Sequence, residues 1–180
     1  MIYAAFLRGM NLGNRRITND ELRGQFEALG LQSVRTFRAA GNVVFEAGRE
    51  SEAKLIARIE AGLEEGLGYA VPTVLRTAKQ LVELAAAEPF PAADVEASKG
   101  KLQVSLLAAR PPARSRKAVL ALSTGADRLA FGERELFWLP SGGLLESDLD
   151  LKTVDAELGL STRRTKGTIE ALVAKYLEHH

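Results

Sequence analysis

Ile2 to Leu7 is an unbroken apolar run that ends on a charge, Arg8. A half-exposed strand would alternate apolar and polar side chains, so this run predicts a strand covered on both faces. The second half of the chain is the expected cover. Gly9-Met10-Asn11-Leu12-Gly13-Asn14 follows as a loop, because Gly and Asn tolerate positive φ.

The next helix start is well marked. Thr18 and Glu21 have the spacing of a capping box, with Ile17 and Leu22 as its hydrophobic staple. Leu22, Phe26 and Leu29 lie on one helical face, and Gly30 stops the helix. Ser33 to Arg38 alternates like a strand, Ala40-Gly41-Asn42 turns, and Val43-Val44-Phe45 returns. Glu52 to Leu67 predicts a second helix with Leu55, Ile56, Ile59 and Leu63 inside, and Val71 to Leu75 a fourth strand. The order is β-α-β-β-α-β, the ferredoxin-like arrangement. In that arrangement strands one and three are central neighbours. Arg8 ends the first and Asn42 opens the third, so both are expected at one edge of the sheet.

The second half mixes helices and strands in the same way. Thr77 to Ala87 predicts a short helix ended by Pro89-Phe90-Pro91, and Ala92 to Gly100 a small-residue linker. Leu102 to Leu107 is a strand. Pro111-Pro112 opens a helix through about Leu122, basic at Arg114, Arg116 and Lys117. Arg128 to Phe131 and Leu136 to Leu139 form a hairpin, and Pro140-Ser141-Gly142-Gly143 is a loop. A last helix runs from about Arg163, with Ile169, Leu172, Val173 and Tyr176 facing inward. No residue-level repeat stands out. The expected halves are residues 1–76 and 77–176. Leu177-Glu178-His179-His180 is read as an expression-tag scar.

Composition narrows the chemistry. There is no cysteine, and both histidines close the chain. Serine–histidine and cysteine–histidine nucleophiles, Cys- or His-ligated zinc and disulfides are thereby excluded. An enzyme would draw its acid or base from Asp, Glu, Lys or Tyr, and no spacing singles one out, so catalytic residues stay unassigned. Glu146, Asp148, Asp150, Asp155 and Glu157 match no calcium loop and read as a solvated or ion-paired face, so no metal is expected. Neither a Walker loop nor the three-glycine dinucleotide pattern occurs, and no cofactor is expected. No apolar run reaches the ~20 residues that span a bilayer, and the start lacks a signal peptide's features. A cytoplasmic protein without membrane association is the expectation. Oligomeric state cannot be read from the chain. The net charge of +1 makes no global case for nucleic acid.

Three local features point to an anion. Arg8 stands at the mouth of a glycine-containing loop, where Gly9 and Gly13 expose backbone N–H groups, with Asn11 beside them. Gly41-Asn42 is brought to the same edge by topology. Thr162-Arg163-Arg164-Thr165-Lys166-Gly167-Thr168 puts three cations where a helix dipole prefers anions. Each has a purely structural reading: a tight connection, a positive-φ turn, and compensation by Asp148, Asp150 or Asp155. The leading expectation is a small, phosphate-bearing ligand held by Arg8, Gly9, Asn11, Gly13, Gly41, Asn42, Arg164 and Thr168. The rivals are an enzyme using the same cleft, a protein-interaction module, and a nucleic-acid binder using Arg110, Arg114, Arg116 and Lys117 with Arg163, Arg164 and Lys166. Sheet-mediated RNA recognition has Tyr3, Phe6 and Phe45 available but lacks the basic-glycine-aromatic signature.

Taken together, Phe6-Leu7-Arg8-Gly9-Met10-Asn11-Leu12-Gly13, the helix from Leu22 to Gly30, and the strands Val34-Arg35-Thr36-Phe37 and Gly41-Asn42-Val43-Val44-Phe45 are distinctive. With Pro89-Phe90-Pro91 and Leu102 to Leu107, they resemble the bacterial domain-of-unknown-function family numbered sixteen ninety-seven. The resemblance implies an α+β fold of two ferredoxin-like halves packed together, and no reaction. The family closes with Thr-x-Arg-Asn-Trp-x-Thr before its last helix. Thr162, Arg164, Thr168 and Leu172 fit that pattern, whereas Thr165 stands at its Asn and Lys166 at its Trp.

Overall fold

The structure is a computed structural model. It describes the chain apart from Asn11, Ala40, Lys99, Gly100, Ser141, Gly143, Leu144, Leu145, Glu146 and His180. The described residues form eight strands and seven helices in two compact units. The first unit holds Met1–Val82 with Leu172–His180, and the second holds Glu83–Ala171.

In the first unit β1 (Ile2–Leu7), α1 (Asn19–Ala28), β2 (Gln32–Thr36), β3 (Asn42–Glu46), α2 (Glu52–Leu67) and β4 (Thr73–Thr77) follow the expected order. The sheet is antiparallel, ordered β2-β3-β1-β4, with Tyr3 opposite Phe45 on one side and Thr77 on the other. β1 is central and buried from Tyr3 to Leu7, as its apolar run requires. Tyr3, Ala5 and Leu7 pack with Leu22 and Phe26 of α1 and with Leu55, Ile59 and Leu63 of α2. The four-residue spacing in α2 makes one stripe, and each such side chain contributes roughly 1.5–3 kcal/mol on burial. Ala4, Phe6, Val44 and Val74, on the opposite face, are buried as well. Both arms of the Thr18–Glu21 capping box are formed: Glu21 N–H donates to Thr18 Oγ1 at 3.1 Å and Thr18 N–H to Glu21 Oε2 at 2.7 Å.

The second unit contains α4 (Ala92–Ala97), β5 (Gln103–Leu107), α5 (Ala113–Leu120), β6 (Asp127–Phe131), β7 (Glu135–Pro140), α6 (Leu151–Leu158) and β8 (Ser161–Thr165). α3 (Ala78–Ala86) crosses the division at Val82, and α7 (Lys166–Tyr176) crosses it at Ala171. This sheet is also antiparallel, ordered β6-β7-β5-β8, the same order as the first with β5 in the place of β1. Leu107, Val119, Leu129, Leu136, Trp138, Val154 and Leu158 form its core.

One junction repeats between the sheets. Arg76 pairs with Ala4 on β4, and Arg164 pairs with Val104 on β8. Each donates Nη1 to the carbonyl of the preceding residue, at 2.9 and 2.8 Å. Each is followed by a threonine that accepts from the backbone N–H three residues on: Gln80 to Thr77 and Thr168 to Thr165, both 3.2 Å.

Two expectations are corrected. Ala92 to Gly100 is not all linker, because Ala92–Ala97 is helical. Its run of alanine, acid and valine contains no glycine, and alanine is the best helix former. The acidic stretch also carries a helix, α6, with Leu151, Val154 and Leu158 turned inward and Asp150 as its N-cap, while Asp148, Asp150, Asp155 and Glu157 stay exposed, in keeping with the solvated or ion-paired face expected of them. Arg163 and Arg164 do not start a helix. They lie on edge strand β8, and α7 begins at Lys166. Strand pairing with β5 satisfies backbone groups that a longer helix would take from the sheet. Ser141 and Gly143 of the expected loop, Gly100 at the end of the expected linker, and Glu146 lie outside the described residues.

Candidate functional site

At the end of β1 the backbone is tied on both sides. Leu7 N–H donates to Gly41 C=O and Arg8 N–H to Pro72 C=O, both at 2.9 Å. The loop that follows turns at Gly9 (φ 75°) and Gly13 (φ 55°), conformations that glycine adopts without a Cβ clash. Arg8 is exposed, and among the described residues its guanidinium has no hydrogen-bond or ion-pair partner. Arg15 lies across the same loop. Its Cζ sits 4.3 Å from the centre of the Tyr69 ring, and its Nη1 is 3.7 Å from where a Cβ on Gly9 would stand. Arg8 thus opens a loop whose Gly9 is approached by Arg15 and, at the same 3.7 Å, by Leu12 Cδ1. Asn11 lies outside the described residues.

Gly41 and Asn42 share this sheet edge, with Phe6 opposite Asn42 in the ladder. Asn42 is buried, and its amide donates to Phe37 C=O at 3.0 Å and to Ala39 C=O at 3.5 Å. Those hydrogens hold the β2–β3 hairpin closed.

Arg164 and Thr168 are in the second unit. Arg164 donates to Thr162 Oγ1 at 2.8 Å, and burial pushes its guanidinium down to about 10. The Thr168 hydroxyl is 2.8 Å from that of Thr165. Arg163 reaches Asp155 at 3.7 Å and sits 5.5 Å from the Trp138 ring centre. The buried Lys166 amine donates to Ala85 C=O at 2.9 Å and to Glu170 at 2.7 Å. Carboxylates thus compensate Arg163 and Lys166. Asp150 accepts from the Thr153 hydroxyl and N–H, at 2.7 and 3.1 Å, which holds its carboxyl below the usual range.

Two arrangements had no local signal in the sequence. Trp138 Nε1–H and the Ser147 hydroxyl both donate to buried Asp127 Oδ1 at 2.8 Å. Phe37 and Tyr176, far apart in the chain, meet edge to face with Arg35, Arg38 and Lys175 around them. Only the alternation of Arg35 with Phe37 hinted that these two share a face.

Two four-stranded antiparallel sheets with seven helices among the described residues define a mixed α+β protein. The chain belongs to a family described as a protein of unknown function (DUF1697), whose model matches residues 1–137. The structure of a conserved bacterial protein from Streptococcus pneumoniae is similar in fold: the TM-score is 0.72 over 97% of each chain, at 19% identity. No curated protein matches the chain. No helix among the described residues is long and apolar enough to cross a membrane.

Proposed function

We propose that the Arg8–Gly13 loop binds a small, phosphate-bearing anion in the cytoplasm, on a scaffold of two ferredoxin-like halves. The repeated strand order supports the scaffold reading. The observation that carries the binding reading is Arg8: exposed, without a partner among the described residues, and followed by a positive-φ glycine that Arg15 approaches. A guanidinium offers a planar fork of donors to phosphate, and the loop's N–H groups add to it. Gly41 lets the hairpin approach, and the Asn42 amide holds it there. Arg164 and Thr168 are left out, since Arg164 donates to Thr162 and the Arg163 carbonyl and Thr168 pairs with Thr165.

The test is thermal unfolding with inorganic phosphate, nucleotides and sugar phosphates, for the wild-type chain and Arg8→Ala. A ligand at ~100 times its Kd adds about 2.7 kcal/mol of stability. A rise of several degrees in the wild type, absent in Arg8→Ala, supports the reading. An equal rise in both overturns it. Turnover of a bound compound would make the same loop part of an enzyme.

A second reading rests on α5. Arg110, Arg114 and Lys117 are exposed without ion-pair partners among the described residues, and Arg116 Nε is buried without one. Such a face suits a nucleic-acid backbone, and its binding would weaken steeply with salt.

A further inference from the structure

We propose a second anion site in the first unit, built by Arg35, Lys175 and the adjoining Arg38 around the Phe37–Tyr176 ring pair, that takes a phosphomonoester group. The rings are fixed first. Tyr176 Oη donates to Thr36 C=O at 3.1 Å, and its ring meets Phe37 at 82° with centroids 6.0 Å apart. Three cations then gather on them. Arg35 Cζ lies 4.6 Å from the Tyr176 ring centre, and Arg38 Cζ 5.1 Å from that of Phe37. Lys175 Nζ lies over both rings, 5.2 Å from the centre of Tyr176 and 5.8 Å from that of Phe37.

A ring face attracts a cation through its quadrupole but accepts few of its hydrogen bonds. Neither Arg35 nor Lys175 has an ion pair or an accepting oxygen among the described residues, and Arg35 Nε is buried without a partner. A buried donor in that state calls for an acceptor that the chain does not supply. The backbone adds a second sign. Arg38 holds φ 56°, a left-handed conformation that costs a non-glycine residue, and a β-bulge with Ser33 at φ 50° precedes Arg35. Strain of this kind gathers where side chains are aimed for a purpose.

A tetrahedral dianion fits the set better than a carboxylate, because it presents enough oxygens for a guanidinium fork and an ammonium together. Stacking of a base is disfavoured, since Arg35 and Lys175 already sit over the Tyr176 ring. The rings hold the cations in place beforehand, so little freedom is lost on binding. This site shares no residue with the Arg8 loop and does not rest on that reading.

The test follows the Arg35 Nε–Hε resonance of the full chain during titration with inorganic phosphate, with sodium chloride balancing ionic strength. Arg35→Lys identifies the resonance by its loss. The expected result is a saturable shift, with affinity at least about tenfold weaker in Lys175→Gln and unchanged in Arg8→Ala. Lys175 is exposed, so this variant keeps its fold. A shift that grows linearly without saturating, or equal affinity in Lys175→Gln, overturns the proposal.

Discussion

Leu7 and Gly41 are in contact twice over: the amide of Leu7 donates to the carbonyl of Gly41 at 2.9 Å, and a Cβ on Gly41 would stand 2.8 Å from the Cβ of Leu7. It would also stand 2.9 Å from Met10 Cγ. The β1–β3 ladder fixes both backbones, so neither can retreat without breaking pairs. Gly41→Ala adds a left-handed penalty of about 1–2 kcal/mol and overpacking of about 1–3 kcal/mol. Gly30, at φ 80° with nothing within 4 Å, carries the first cost alone. Urea unfolding should show Gly41→Ala losing about 3 kcal/mol and Gly30→Ala about 1 kcal/mol. Equal losses would mean that the close approach is relieved elsewhere.

Asp127 accepts two hydrogen bonds on one oxygen inside the second unit. Asp127→Ala strands the indole N–H of Trp138, at a cost of about 2–3 kcal/mol. Asp127→Asn keeps an acceptor oxygen and should lose less. Denaturant melts followed by tryptophan emission would show the order wild type, Asp127→Asn, Asp127→Ala, and a reversal would refute the account.

Glu60 gives a pH dependence of known sign. Burial raises its pKa above 4.5, partly offset by a hydrogen bond from the Thr73 backbone. The folded state then holds the proton more tightly than the unfolded state. This group's contribution therefore falls as pH climbs from 4.5 through the raised value, and stays lower above it. Glu60 is only half-buried and still screened by water, so the effect is small. Glu60→Gln should flatten that part of the stability profile and be slightly more stable at pH 7. A steeper profile would contradict the sign.

Arg8→Ala should unfold within about 0.5 kcal/mol of the wild type in phosphate-free buffer, because the side chain it removes is exposed and makes no hydrogen bond or ion pair with a described residue. A loss well beyond that, by calorimetry, would make Arg8 a structural residue.

The first unit was legible because its signals are local. The apolar run of β1, the Thr18–Glu21 box and the stripe of α2 each fall within one element, and topology then brought Gly41 beside the end of β1. β8 was not legible. Arginine and lysine are good helix formers, and only pairing with β5, nearly sixty residues earlier in the chain (Ser105 faces Arg163), turns Thr162 to Thr165 into a strand. By local signal alone Arg164 and Thr168 belong to one helix start, whereas the first lies on a sheet edge. The small residues of α4 suggest a linker, but alanine without glycine favours a helix. The Phe37–Tyr176 pair could not be seen, because no periodicity links residues 140 positions apart.

The first unit is discontinuous in sequence, closed by Leu172–His180 after the whole second unit has intervened. A ribosome releases residues in order, and domains generally fold as units, earliest first. Here that order is inverted at the finish. The first sheet emerges early, but its unit is completed only from Leu172 onward, a buried residue, when every residue of the second unit is already made. Chain termination anywhere short of Leu172 leaves the earlier-made unit as the incomplete one.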